Sequence, residues 1–147
     1  MALRMTRDER QLFLAQPRIG IIGIEEPGRA PRVVPVWYDF DPAIGVTVQA
    51  AETSRKTTLL RDAGEFSLCV QDVTPSGYRH VSVQGPISEI RPCELERDFR
   101  PLVLRYLGAE QASQFIEKNW RTGRLIFVMS PEHWVTADLS SALAISP

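Results

Sequence analysis

The stretch TSRKTTLLRDAGEFSLCV, Thr53–Val70, contains the change of period that decides the fold. Its first half reads as a short helix, which Thr53 or Ser54 can cap and Gly64 can end in the left-handed conformation. Its second half alternates Phe66, Leu68 and Val70 with Ser67 and Cys69, the pattern of a strand with one face in a core. The helix raises an electrostatic question. Arg55 and Lys56 fall in its first turn, where the helix dipole disfavours cations by roughly 0.3–1 kcal/mol each.

Working outward, strands dominate. Upstream, Thr6–Glu9 fits a capping box and opens a helix carrying Leu12 and Phe13 that stops before Pro17. RIGIIGIEE (Arg18–Glu26) reads as a strand, Pro27–Pro31 as a turn, RVVPVWYDFD (Arg32–Asp41) as the returning strand and GVTVQA (Gly45–Ala50) as a third. Pro35 cannot donate to a ladder, so its strand is expected at an edge, a bulge or a strand end. Downstream, RHVSVQGPISEI (Arg79–Ile90) alternates as a strand that Gly85-Pro86 breaks or bulges. From Glu94 the spacing of Leu95, Phe99, Leu102, Val103, Tyr106 and Leu107 turns helical up to Gly108, with a kink or break expected at Pro101. Ala109–Trp120 is a further helix with Phe115 and Ile116 inward. Arg124–Ser130 is a strand buried on both faces, and Glu132–Leu139 a last strand. The expected fold class is mainly β (α+β): a small barrel of about six antiparallel strands, five to seven by these boundaries, with flanking helices, and an α+β sandwich as the alternative.

At 147 residues the chain is expected to form one domain, residues 1–147. Its formal net charge of -1 provides no global field toward nucleic acid or an anionic membrane, so any anion site must be local. No apolar run approaches membrane-spanning length and the first ten residues lack a signal-peptide core; neither a nucleic-acid nor a membrane partner is expected, and the location is expected to be cytoplasmic. Cys69 and Cys93 show no metal-ligand spacing and are expected to be buried free thiols rather than a disulfide. The cations are fifteen arginines against two lysines, Lys56 and Lys118, which makes a lysine beside an arginine at a helix start conspicuous.

No nucleophile–base motif, zinc signature or Gly-rich phosphate loop is present, no metal site is expected, and His80 and His133 are the only histidines. No residue declares itself as an acid, base or nucleophile. Such a chain either binds without catalysis or relies on a cofactor for its chemistry. A phosphate would reverse the sign of the clash at Arg55 and Lys56. Backbone N–H groups and the hydroxyls of Thr53, Ser54 and Thr57 could then donate to it, and a guanidinium could grip two of its oxygens. The alternative is that both side chains bend into solvent.

RVVPVW, then TSRKTTLLRDAGEFSLCV, then YRHVSVQGPISEI, taken in this order and spacing, resemble the flavin-binding split-barrel family of pyridoxamine-phosphate-oxidase-like proteins, which includes the deazaflavin (F420)-dependent reductases. The resemblance spans Leu12 to Asp138. It implies a split β-barrel, usually a homodimer, with the cofactor ring at the dimer interface and its phosphate on Arg55 and Lys56, flanked by Ser54 and Thr57. It further implies Arg32 as a second phosphate ligand, Trp37 as a wall beside the ring, Gln49 and Ala50 as ring contacts, and His80 near the ring from the neighbouring subunit, where the oxidases proper carry glutamine. The implied cofactor is FMN, with F420 as the alternative. The implied activity is hydride transfer to or from a small conjugated substrate; the alternative is a non-catalytic flavin or haem carrier. Oxidation of pyridoxamine phosphate itself is not expected, because the ending WVTADLSSALAISP lacks the Trp/Arg segment of those oxidases.

Overall fold

The computed structural model describes residues 4–140. Helix α1 (Arg7–Ala15) starts on the expected capping box: Thr6 Oγ1 accepts from the Glu9 N–H at 3.2 Å. Strands β1 (Gly20–Ile24) and β2 (Arg32–Val36) form a hairpin, followed by β3 (Asp39–Asp41) and β4 (Gly45–Ala51). Helix α2 (Arg55–Ala63) is capped by Ser54 and ended by Gly64 at φ 70°, the left-handed conformation that glycine tolerates. Strands β5 (Glu65–Thr74) and β6 (Gly77–Pro92) come next. An insert follows: a π-helical turn (Leu95–Phe99), α3 (Arg100–Tyr106) and α4 (Ala109–Asn119). Strands β7 (Arg124–Met129) and β8 (His133–Leu139) complete the described chain.

All strand pairings are antiparallel, in the order β2-β1-β5-β6-β7-β4-β3, with β8 beside β6. The long strand β6 joins two halves: Gly77–Pro86 pairs with β5, and Ile87–Pro92 pairs with β7. The crossing requires Gly85, since a Cβ there would stand 1.8 Å from the Ser130 carbonyl oxygen. The register shift comes just after it, between Ile87 and Glu89. Strand β7 is buried along Leu125–Met129 between β4 and β6, as its unbroken apolar run requires.

The run Arg32–Asp41 is not one strand. It breaks at Trp37-Tyr38, so that β2 pairs with β1 at one end of the sheet path and β3 pairs with β4 at the other. Two covalently consecutive strands thus stand at opposite ends of the path, and the corner between them draws the sheet into a barrel. Tyr38 is fully buried; its hydroxyl donates to the Leu14 carbonyl at 2.9 Å. The Tyr38 N–H donates to the Tyr106 hydroxyl at 3.1 Å, which stands 2.8 Å from the Arg18 carbonyl. About six strands, five to seven by the sequence boundaries, were expected; this break divides one of the seven runs and gives the eight described. Pro35 lies on the edge strand β2, and Pro101 opens α3 after the π-helical turn, each where its chemistry demands. The expected burial of both cysteines is corrected: both are free thiols, but Cys69 is exposed on the outward face of β5 and Cys93 is only half-buried.

The main core fills the barrel with Ile22, Val48, Leu68, Val83 and Phe127, and α1 and α2 plug it with Leu14, Leu59 and Leu60. A second apolar cluster joins the insert to the barrel, with Phe99, Val103 and Ile116 packed against Trp37.

Burial pushes the Tyr38 hydroxyl up to about 12. The neutral form is favoured in the folded chain, so this contribution to stability is complete below pH 10 and is lost as pH rises from about 10 to 12, some 2–3 kcal/mol in all. Replacing Tyr38 with Phe should cost about 0.5–1.5 kcal/mol at neutral pH, by removing the hydroxyl's bond to a Leu14 carbonyl that keeps Arg105 as a donor, and should abolish that alkaline loss. Chemical denaturation at a series of pH values checks both.

Candidate functional site

The start of α2 is held by its own hydroxyls. Ser54 Oγ accepts from the Thr57 N–H at 3.2 Å and lies 3.1 Å from Thr57 Oγ1, which in turn donates to the Ala51 carbonyl at 2.6 Å. Thr57 is buried. These contacts cap the helix and pin it to the end of β4, so two of the three hydroxyls expected to face an anion, those of Ser54 and Thr57, are engaged inside the chain.

The two cations of the first turn separate. Arg55 is 56% exposed, with Nη2 3.7 Å from Glu26 Oε1. Arg32 grips the same carboxylate more closely, Nε to Oε2 at 3.1 Å and Nη2 to Oε1 at 3.3 Å. Glu26 is nearly buried at the end of the β1 hairpin arm, and its bonds to Arg32 hold its carboxyl below the usual range. One of the two charges opposing the helix dipole is therefore answered within the protein.

Lys56 turns the other way. It has no ion-pair or hydrogen-bond partner among the described residues, and it faces a cavity of about 340 Å³ together with Arg124 from the start of β7. Arg124 also lacks a carboxylate partner among the described residues; its Nε is buried without a hydrogen-bond partner, and its guanidinium sits 5.2 Å from the Phe99 ring. Burial, with a smaller contribution from the Arg124 charge, lowers the proton affinity of Lys56. Two like charges held in one half-buried cavity with no anion between them are an electrostatic cost that nothing in the cavity offsets. The remaining wall is mostly apolar and aromatic, with Val36, Trp37, Phe99, Leu102 and Phe115, and includes the uncharged amides of Gln49 and Asn119. Trp37 stacks on Tyr106 with centroids 4.8 Å apart and planes at 4°, and lies 5.3 Å from Phe115.

A second cavity of the same size, between β4 and the π-helical turn, contrasts with the first. There Arg91 forks onto Asp98 with two contacts of 2.7 Å and stands 3.5 Å from Glu89, which leaves Arg97 as the wall's one cation without an ion pair among the described residues. Its charges are largely matched from within. The cavity at Lys56 has two unmatched cations and no Asp, Glu or His on its wall, and is the better candidate for a ligand.

Of the residues singled out from sequence, Lys56, Trp37 and Gln49 line this cavity together. Gln49 is nonetheless engaged, its Nε2 donating to the Asp98 carbonyl at 3.2 Å and its Oε1 accepting from Cys93 Sγ at 3.6 Å. Ala50 turns its methyl group into the barrel core, so only its backbone could meet a ligand. Arg32 and Arg55 lie with Glu26. His80 does not join them within one chain; it lies on the outer face of β6 beside Tyr78, with Nδ1 buried and unpartnered. Sequence reasoning missed Glu26, Arg124 and the aromatic wall of the insert. Arg124 did carry a signal, as the one charge of the otherwise apolar RLIFVM strand. Among the described residues no group of three or more His, Cys, Asp and Glu could hold a metal ion, and no helix is long and apolar enough to cross a membrane.

No protein-family profile matches the chain, and neither does any curated protein. Solved structures of the same fold do. One named F420 reductase is 20% identical, with a TM-score of 0.66 over 85% of this chain and 94% of its own. An FAD-binding protein from Mesorhizobium loti is 18% identical, with a TM-score of 0.65 over 94% and 98%. A haem storage protein from Vibrio cholerae is 10% identical, with a TM-score of 0.62 over 94% and 98%. At these identities the likeness is one of fold: this chain has the split-barrel architecture found in pyridoxamine-phosphate-oxidase-like proteins and F420 reductase.

Proposed function

We propose that the chain binds a flavin or deazaflavin in the cavity at Lys56 and serves as an oxidoreductase acting on a small conjugated substrate. The carrying observation is the pair of unmatched cations, Lys56 and Arg124, at one side of an aromatic-walled cavity. That arrangement suits a ligand with an anionic group at one end and a flat ring at the other. FMN is the cofactor favoured, because its terminal phosphate needs one compact cationic pocket. F420, whose phosphate continues into a polyglutamate tail, is the alternative. Solved structures of this fold named for F420, FAD and haem support a cofactor-binding role.

The residues fit such a group in three respects. Lys56 and Arg124 have unused donors for a phosphate, while Arg55 and Arg32, which do not line the cavity, are held on Glu26. Trp37 and Phe115 offer flat apolar surface, and Ser54 and Thr57 fix the helix start that carries Lys56. When bound, the cofactor supplies hydride transfer. The chain supplies anchoring, orientation and a water-poor surface. Among the described residues, Lys56 and Arg124 are the only titratable ones on the cavity wall, so the protein's part there is binding and electrostatics rather than acid–base work.

A homodimer completes this reading. Two rows across the outer face of the sheet, Pro35–Ile21–Cys69–Ser82–Val135 and Val33–Gly23–Ser67–Gln84–His133, contain no Lys, Arg, Asp or Glu. Val33 and Val135 are each 64% exposed there. A neutral, apolar face meets its own copy without like-charge repulsion. Pro35 belongs both to this face and to the cavity wall, so a second copy seated on the face would reach the cavity mouth.

The test is an absorption spectrum of the purified protein, followed by titration with FMN, F420, riboflavin and haem. FMN or F420 should bind, and riboflavin more weakly than FMN. Replacing Lys56 with Ala should weaken FMN by about 10- to 100-fold, the worth of one charged hydrogen bond, without changing riboflavin affinity. Equal affinity for riboflavin and FMN would remove the phosphate assignment, and binding of haem alone would favour a carrier. Replacing Arg124 with Gln should raise the proton affinity of Lys56 yet leave it below normal, because burial is the larger cause; NMR titration of the Lys56 ammonium reads this. Sedimentation should give a dimer that Val135→Arg converts to monomer.

A further inference from the structure

Arg55 and Lys56 adjoin in sequence, but only Arg55 has an internal anion, and it holds that anion poorly. Glu26 is almost out of solvent, and Arg32 already donates to both of its oxygens, at 3.1 and 3.3 Å. The nearest approach of Arg55, 3.7 Å to Oε1, exceeds hydrogen-bond length, and its side chain is 56% exposed. The Arg32 contact is thus a fixed fork within the β1–β2 hairpin. The Arg55 contact is a loose Coulombic tether between that hairpin and α2, of the exposed kind that holds weakly. Arg55 does not line the cavity, but it immediately precedes Lys56 at the start of α2 and its long side chain is exposed, so a phosphate held by Lys56 and Arg124 would offer it unshared oxygens, which Glu26 does not.

We propose that Glu26 is a positioning residue that governs the site's affinity for anions through Arg55. Without an anion, Arg55 rests against Glu26; with one, its guanidinium turns to the ligand while Glu26 stays on Arg32. Glu26 never touches the ligand. It competes with the ligand for one arginine, and it also prevents Arg32 and Arg55 from standing uncompensated beside each other when the site is free. This rests on the reading of the Lys56 cavity as a phosphate site, but it concerns the anion rather than the ring.

The experiment uses the full chain and three probes: FMN, riboflavin and inorganic pyrophosphate. By calorimetry, Glu26→Gln should bind FMN and pyrophosphate about twofold to fivefold more tightly than the parent protein, with riboflavin unchanged. The increase should vanish when Glu26→Gln is placed on an Arg55→Ala background. Unchanged or weaker anion binding would overturn the proposal, and so would an increase that survives without Arg55. A readout on the parent protein covers the case in which Glu26→Gln fails to fold. Pyrophosphate should shift the NMR resonance of the Arg55 Nε–H and leave that of Arg32 in place; a static Arg55 or a moving Arg32 would overturn the proposal. Pyrophosphate binding without FMN binding would defeat the flavin reading and leave the Arg55 transfer standing. FMN binding indifferent to Glu26→Gln would do the reverse.

Discussion

The fold depends on one buried corner. Between β2 and β3 the chain must leave one end of the sheet path and join the other within two residues, Trp37 and Tyr38. Such a corner exposes backbone polar groups in a place that water cannot serve. Tyr38 resolves this from inside, with its hydroxyl on the Leu14 carbonyl and its N–H on the Tyr106 hydroxyl. The guanidinium of Arg105 adds donors to the Leu14, Ala15 and Gln16 carbonyls. The barrel closure, the end of α1 and the insert are fastened at one point. The cavity is a by-product of that arrangement: Trp37, displaced outward by the corner, becomes a wall shared between barrel and insert.

The electrostatics of the site follow from which charges find partners. Glu26 answers Arg32 and Arg55, and Asp98 answers Arg91. Lys56 and Arg124 come from distant parts of the chain, and the cavity brings them together with no acid in reach among the described residues. A free protein tolerates this because both groups are only partly buried. Burial, and to a smaller extent the Arg124 charge, lowers the proton affinity of Lys56, and a bound anion would relieve both.

What was legible in the sequence was local chemistry. Ser54 and Gly64 bound α2 because a cap and a left-handed glycine act over one turn. Pro35 reads as an edge, Pro101 as a break and the apolar run after Arg124 as a doubly buried strand for the same reason. What was not legible depended on partners far along the chain. The division of Arg32–Asp41 needs Tyr106, 68 residues away from Tyr38. The parting of Arg55 from Lys56 depends on Glu26, which has Arg55 and not Lys56 within ion-pair distance, and no periodicity shows that a glutamate at the end of a strand will be buried. The hydroxyls of Ser54 and Thr57 looked free in sequence because a cap and a ligand contact draw on the same residue types.

The insert, residues 93–123, is tied to the barrel by few specific hooks: Arg105 and Tyr106 on the α1–β1 and β2–β3 connections, and Asp98 on Arg91 and Gln49. Backbone bonds at its two ends, Cys93 N–H to the Arg124 carbonyl and Glu52 N–H to the Gly123 carbonyl, close it onto the sheet, and most of the rest is apolar packing, which tolerates substitution so long as volume is kept. The segment that shapes one wall of the cavity is therefore free to diverge while the barrel stays fixed. Descendants of such a chain can acquire new ligand shapes by rewriting α3 and α4 around these anchors, leaving the cationic floor as an inherited handle.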